Sequence, residues 1–347
     1  MAIPASRPLH MDPRVLWPDY APTPLIELPA LARVAGVARI LVKDESRRRL
    51  GSFKALGGTL ASLRALARAV DVPSLQALLA GRGARAMPRL VCASDGNHGL
   101  AVASAAQRAG TRASVYLPAH AGDERAARIV ASGGDVVRIA GTYDDAVVAA
   151  AEHAARGGGL LVADTSEDPD DLVVRDVMAG YGLLVREVRA QLRARSDPPS
   201  HACVQAGVGG LAAAMAHGLR RHMCAPGRTL VVEPERAACV GPALARGEPV
   251  RIDSDLATRA EMLACGRASA PALRVLRRHA VGCVTVDEDE LQGAVAALRD
   301  AGGPDTTPSG AAGLAGLLHV ARDPQARDVH ALDANSIVLL VATEGAC

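Results

Sequence analysis

The chain contains two lysines, Lys43 and Lys54, and its other strongly basic residues are all arginine. A guanidinium stays charged at any working pH, whereas an amine can lose its proton and add to a carbonyl. Lys54, in the run Arg49-Leu50-Gly51-Ser52-Phe53-Lys54, is therefore the candidate for covalent attachment of an aldehyde. A helix start and partial burial around it are expected to lower its pKa toward the nucleophilic range. A second group is Ser94-Asp95-Gly96-Asn97-His98-Gly99. Small and amide residues at the carboxyl end of a strand offer backbone N–H groups and side-chain donors that suit a carboxylate or a ring hydroxyl. Ser, Asp and Asn are also ordinary helix caps, but capping alone does not need so many specialised residues in a row.

A third group is Gln205-Ala206-Gly207-Val208-Gly209-Gly210-Leu211, between an apolar strand and an alanine-rich helix. Its glycines let the backbone wrap an anion at a helix N-terminus, which makes a phosphate cradle. The spacing is neither GxGxxG nor a P-loop, which disfavours a dinucleotide or ATP, and alone the run reads equally well as a structural turn. Thr343-Glu344-Gly345 closes the last apolar strand, and Pro308-Ser309-Gly310 opens a helix. Each offers a hydroxyl at an element end, where α/β sheets collect ligands, and each taken separately is better explained as a cap.

The elements that position these groups follow from periodicity. Apolar runs at 40–43, 90–93, 113–117, 135–139 and 160–163 predict strands, and 201–205, 230–233, 283–286 and 337–342 predict a second series. Helical spacing is read at 52–70, 99–109, 123–132 and 144–155, in a long helix from 176, and at 212–219. Alternation of strands with helices implies right-handed crossovers and parallel sheets, hence an α/β fold. Residues 1–24 read as an irregular lead-in, and 73–85 as a short helix with a Gly/Arg turn between domains. The expected division is a discontinuous large domain, 1–80 with 172–347, around a small domain, 81–171.

Composition narrows the partners. With 39 basic and 37 acidic residues the net charge is +2, and aromatics are 2%, so neither nucleic acid nor a membrane surface has a charge or stacking argument. The start of the chain lacks the apolar core of a signal peptide, and no apolar run reaches the roughly 18–20 residues needed to span a bilayer, so a cytoplasmic location is expected. Seven cysteines without CxxC spacing argue against a metal site and for buried thiols.

An aldehyde on Lys54, a phosphate on Gly207–Leu211 and a polar ring group near Asn97 together describe one ligand, pyridoxal 5′-phosphate. The order of these motifs, with Lys43-Asp44-Glu45-Ser46, resembles the fold type II pyridoxal phosphate enzymes, the group of threonine dehydratase and the tryptophan synthase β subunit, over nearly the whole chain. Asp95-Gly96-Asn97-His98-Gly99, Val232-Glu233-Pro234, Leu263-Ala264-Cys265-Gly266 and Thr343-Glu344-Gly345 are most similar to the diaminopropionate ammonia-lyases.

The resemblance implies two parallel-sheet α/β domains with the active site in the cleft between them, and a homodimer. It implies that Lys54, beside Phe53, carries the cofactor and that Asn97 meets its ring hydroxyl. Gly207, Val208, Gly209, Gly210 and Leu211 would hold the phosphate, and Thr343 would face the pyridine nitrogen. Ser94, Asp95 and His98, with the loop amides, would bind a small amino-acid substrate. Asp95 and Asp164 would act as bases toward opposite enantiomers, and Cys239 and Cys265 stand where the family has two cysteines close enough to pair. The departures are Ser166-Glu167-Asp168-Pro169-Asp170-Asp171, where the family usually has an aromatic residue and Gly-Tyr, and an end at Cys347, where relatives continue. Both bear on the substrate side. The expected reaction is α,β-elimination from 2,3-diaminopropionate or a similar β-substituted amino acid to pyruvate and ammonia. The alternatives are β-replacement, a serine/threonine dehydratase-like reaction, or an inactive cofactor- or amino-acid-binding protein.

Overall fold

A computed structural model describes residues 11–81, 86–119 and 121–346. Ten strands form among them: β1 Leu25–Glu27, β2 Arg39–Asp44, β3 Leu90–Ala93, β4 Ala113–Pro118, β5 Gly134–Ile139, β6 Leu160–Leu161, β7 His201–Gln205, β8 Arg228–Pro234, β9 Gly282–Val286 and β10 Ile337–Ala342. A six-stranded sheet runs β1-β2-β10-β7-β8-β9 and a four-stranded sheet runs β5-β4-β3-β6. Every pairing is parallel except β1 against β2. Interior strands β3, β4, β7 and β10 are buried almost throughout, so β3 and β10 are written as unbroken apolar runs and β4 and β7 as mainly apolar ones. The edge strands β5 and β9 mix buried with exposed positions.

The sequence reading did not include β1. It is three residues long, lies at an edge, and takes its register from β2 with Leu25 opposite Lys43, so it has no periodicity of its own. The strand expected at 160–163 ends at Leu161; Val162 still donates its N–H to the Val91 carbonyl at 2.8 Å, but its own carbonyl is taken by His98 at 2.8 Å. Of the expected lead-in, residues 1–10 lie outside the described residues, as does the Gly/Arg turn beyond Gly81. No helix is long and apolar enough to cross a membrane among the described residues.

Lys43 and Glu45 of the Lys43-Asp44-Glu45-Ser46 run work in a buried ion network with helix Leu172–Arg195 rather than in the cavity. Lys43 Nζ is fully buried and donates to Glu187 Oε2 and to the Thr23 carbonyl, both at 2.7 Å. Arg48 bridges Glu45 at 2.7 Å and Glu187 at 2.8 Å. The second lysine is thus locked in a buried ion network, with no access to a ligand.

Helix Lys54–Ala69 packs between helices Leu172–Arg195 and Asn97–Arg108, and adjacent glycines permit the approach. A Cβ on Gly57 would lie 2.4 Å from Tyr181 Cε1 and 2.7 Å from the Val177 carbonyl; one on Gly58 would lie 2.6 Å from Ala101 Cβ. Gly57→Ala is therefore expected to cost roughly 1–3 kcal/mol through overpacking, outweighing the better helix propensity of alanine. Gly182, on the exposed side of helix Leu172–Arg195, has nothing within 4 Å of such a Cβ. Gly182→Ala should raise stability by up to about 1 kcal/mol, and thermal unfolding of the two variants, one down and one up, checks the pair.

Candidate active site

The loop before Lys54 is stitched to the turn after β10: Phe53 N–H donates to the Thr343 carbonyl at 3.1 Å and Gly345 N–H to the Gly51 carbonyl at 3.0 Å. This delivers Lys54, the first residue of its helix, to the carboxyl ends of β10 and β7. A cavity opens there. Lys54, Asp95, Asn97, Asp164, Thr343 and the whole 207–211 turn line it, together with Phe53, Ser94 and His98. The side chain proposed to hold an aldehyde and the turn proposed to hold a phosphate thus face one space.

Lys54 Nζ donates to Asp164 Oδ2, and Tyr143 Oη donates to Asp164 Oδ1 at 2.6 Å. The expected lowering of the Lys54 pKa does not occur. Burial does favour the neutral amine, but the Asp164 carboxylate outweighs it and holds the ammonium form well above its ordinary range. The same contact decides the partner: burial alone would raise Asp164, yet Lys54 and the hydrogen bonds from Lys54 and Tyr143 hold its carboxyl well below the usual value. Asp164 caps no helix; both its oxygens are spent inside the cavity.

Asp95, half-buried, lines the same cavity, and burial together with the Asp164 charge pushes its carboxyl up to about 7. Two carboxyl groups of one cavity are thereby driven apart, one up to about neutrality and the other well below the usual carboxylate range. Helix Asn97–Arg108 has Gly96 at its cap, without a side-chain bond. Ser94 Oγ instead accepts the Gly96 and Gly99 N–H groups, both at 2.8 Å. Those two amides are therefore not available to a substrate carboxylate, which corrects the simple picture of a free amide loop. The Asn97 and His98 N–H groups, in the first turn, have no intrahelical acceptor. His98 is more structural than expected: its Nε2 is bonded to Val162, burial lowers its pKa, and its Nδ1 is buried without a partner.

The 207–211 turn fits a phosphate. Gly209 has φ +94°, open to glycine, and the following N–H groups head helix Gly210–Leu219 at the cavity wall. A Cβ on Gly207 would lie 3.0 Å from Cys265 Sγ. At the other end, Thr343 Oγ1 accepts Gln205 Nε2 at 3.2 Å, so its own proton is left to donate, as a pyridine nitrogen requires. Cys239 and Cys265 do not pair: both are free, buried thiols, with Cys239 Sγ donating to the Gly207 carbonyl at 3.4 Å, and burial keeps both protonated.

Two lining residues, Tyr143 and Tyr181, carry no motif of their own in the sequence, and Gln205 and Glu344 stand in candidate runs without a role assigned to them. The chain has only four tyrosines and two of them face this cavity, so the scarcity that marks Lys54 marks them too. Tyr181 packs on Phe53 with ring centroids 4.9 Å apart, and its buried hydroxyl has no partner. Such an orphan is what an occupying ligand would satisfy.

Comparison with known proteins agrees with this geometry. Residues 16–343 match the family described as pyridoxal-phosphate dependent enzymes. Diaminopropionate ammonia-lyase of Escherichia coli (strain K12) is 32% identical over 338 residues, covering 94% of this chain and 85% of that one. The crystal structure of the Escherichia coli enzyme in complex with D-serine superposes with a TM-score of 0.85 at 30% identity, over 95% of this chain and 86% of that one. Its complex with an aminoacrylate–pyridoxal phosphate azomethine gives a TM-score of 0.83 at 30% identity, over 96% and 87%.

Proposed function

The chain belongs to the pyridoxal-phosphate dependent enzymes, and from that premise we propose that it eliminates the β-substituent of 2,3-diaminopropionate, or of a closely similar amino acid, to give pyruvate and ammonia. The observation that carries this reading is that two carboxyl groups, Asp95 and Asp164, share the cavity of Lys54 and the glycine turn. Lys54 would hold the cofactor aldehyde, residues 207–211 its phosphate, Thr343 its pyridine nitrogen and Asn97 its ring hydroxyl. When bound, the cofactor supplies the electron sink that lets an α-proton and then the β-substituent depart.

The protein's part is placement and proton transfer. Ser94, with the remaining amides of the 94–99 loop, orients the substrate carboxylate. Val177, Met178, Leu263 and Cys265 give the cavity apolar walls that exclude water. Asp95 exchanges a proton near neutral pH, as a general base should. Asp164 is ionised, steadied by Tyr143, and is relieved of its ion pair once the Lys54 nitrogen is committed to the cofactor. In this reading the cleft divides a large domain, 1–80 with 172–347, from a small one, 81–171; the separate sheets support that division. The enzyme is taken to act in the cytoplasm, as the sequence suggests, and as a homodimer, as the family resemblance implies.

The test is an amino-acid panel scored for keto acid and ammonia with no added nucleophile. Pyruvate from 2,3-diaminopropionate is expected, and its absence across the panel defeats the reading. β-Replacement is the second reading, favoured by the 166–171 segment. That segment is clamped by an ion pair from Arg267 to Glu167 and another from Arg274 to Asp170 at 2.6 Å. Rapid pyruvate release without a nucleophile counts against it. A pH profile tests Asp95 separately. A base whose pKa is raised is protonated below it, so for the enantiomer Asp95 serves, kcat/KM should fall about tenfold per unit as pH drops below about 7. Asp95→Asn should flatten that limb.

A further inference from the structure

Glu344 is buried, lines the same cavity as Asn97, and has a closed set of partners. Its Oε1 accepts the Thr307 hydroxyl at 2.5 Å and its Oε2 accepts a hydrogen from Asn97 Nδ2. Thr307 Oγ1 is itself fixed in place, accepting the Gly310 N–H at 3.1 Å as a helix cap, with a second lone pair to spare. The backbone holds Glu344 as well: it bridges Ser52, two residues before Lys54, and its carbonyl accepts the Thr306 hydroxyl. A rigid acceptor is therefore aimed at one end of the Asn97 amide.

The two ends of an asparagine amide have nearly the same shape, and only the partners decide which end faces where. With ionised Oε2 of Glu344 as neighbour, the form that the Thr307 and Asn97 hydrogen bonds favour against the upward push of burial, the nitrogen end lies on that side, since the opposite choice sets two acceptors against each other. One N–H of Asn97 is spent on Glu344, and the other remains. We propose that Glu344 is a positioning residue that locks Asn97 as a hydrogen-bond donor toward the cofactor's ring hydroxyl, so that this ring oxygen is met as an acceptor and held in its ionised form. The inference rests on Asn97 facing that hydroxyl, as read above. Glu344 touches neither substrate nor reacting atoms in this role.

The test reads the bound cofactor rather than turnover. Protonated and ionised ring-hydroxyl forms of the lysine-bound cofactor absorb at different wavelengths, so their ratio reports what Asn97 presents. Glu344→Met removes the acceptor and is expected to shift the ratio toward the protonated form and to weaken cofactor binding roughly tenfold, the scale of one charge-assisted hydrogen bond. Glu344→Gln can keep its oxygen on Asn97 and turn its amide to Thr307, so it should stay within about twofold of wild type. Should the methionine variant fail to fold, Glu344→Asp, one methylene short of Asn97, is expected to give the same spectral change. In an Asn97→Ala background the Glu344 substitution should add nothing. A wild-type spectrum and affinity in Glu344→Met, or a glutamine variant as impaired as methionine, overturns the proposal. If Asn97→Ala alone leaves the spectrum unmoved, the placement of Asn97 falls; if wild-type protein shows no lysine-bound absorbance, the cofactor assignment falls first.

Discussion

Lys54→Ala is expected to abolish the visible absorbance of lysine-bound cofactor and to lower kcat/KM by at least roughly 10³-fold, as loss of a covalent catalytic group does. The other lysine cannot take over. Lys43 is fully buried, held by Glu187 and the Thr23 carbonyl, and does not line the cavity. The alanine variant also strands Asp164, whose oxygens are bonded to Lys54 and Tyr143, so loss of the ion pair accompanies loss of the bond. Lys54→Arg separates the two. It keeps a cation beside Asp164 but cannot form a bond to an aldehyde. If absorbance disappears in both variants while the arginine protein melts close to wild type, the covalent role is isolated from the electrostatic one. Persistent absorbance in either variant would place the attachment elsewhere.

The chemistry of the lysine shows how far a sequence can be read. Interior parallel strands such as β3, β7 and β10 are legible because both their faces are buried, so an apolar run and its length suffice. Glycine turns are legible because only a positive φ, as at Gly209, or a close approach, as at Gly207, requires them. Long-range contacts are different. The pairing of Lys54 with Asp164 joins residues 110 apart, and that of Asn97 with Glu344 joins residues 247 apart. Nothing local encodes either meeting, yet the first reverses the expected pKa shift of Lys54 and the second decides how Asn97 can bond. Tyr143 escaped notice for the same reason: its position on a helix says nothing of the carboxylate its hydroxyl meets. The Lys43-to-Ser46 run shows the converse, a motif that identifies the family while serving the core.

Asp95→Asn and Asp164→Asn are expected to move the ratio of kcat/KM between the enantiomers of 2,3-diaminopropionate in opposite directions, each by roughly 10²–10⁴-fold, the range of a lost general base. The two groups stand in one cavity but in unlike electrostatic settings, Asp95 raised to about 7 and Asp164 held low by Lys54. Opposite enantiomers present the α-proton on opposite faces, so a carboxylate on one wall can serve only one of them. Asp164→Asn carries a complication, because it also releases Lys54 and will depress both enantiomers to some extent. Tyr143→Phe resolves it. That change removes the 2.6 Å hydrogen bond to Asp164 while leaving both the carboxylate and the Lys54 contact, so it should lower only the enantiomer that Asp164 serves, by about tenfold. A ratio that stays constant across all three variants would mean that neither aspartate is face-specific, leaving the freed amine of Lys54 as the base for both.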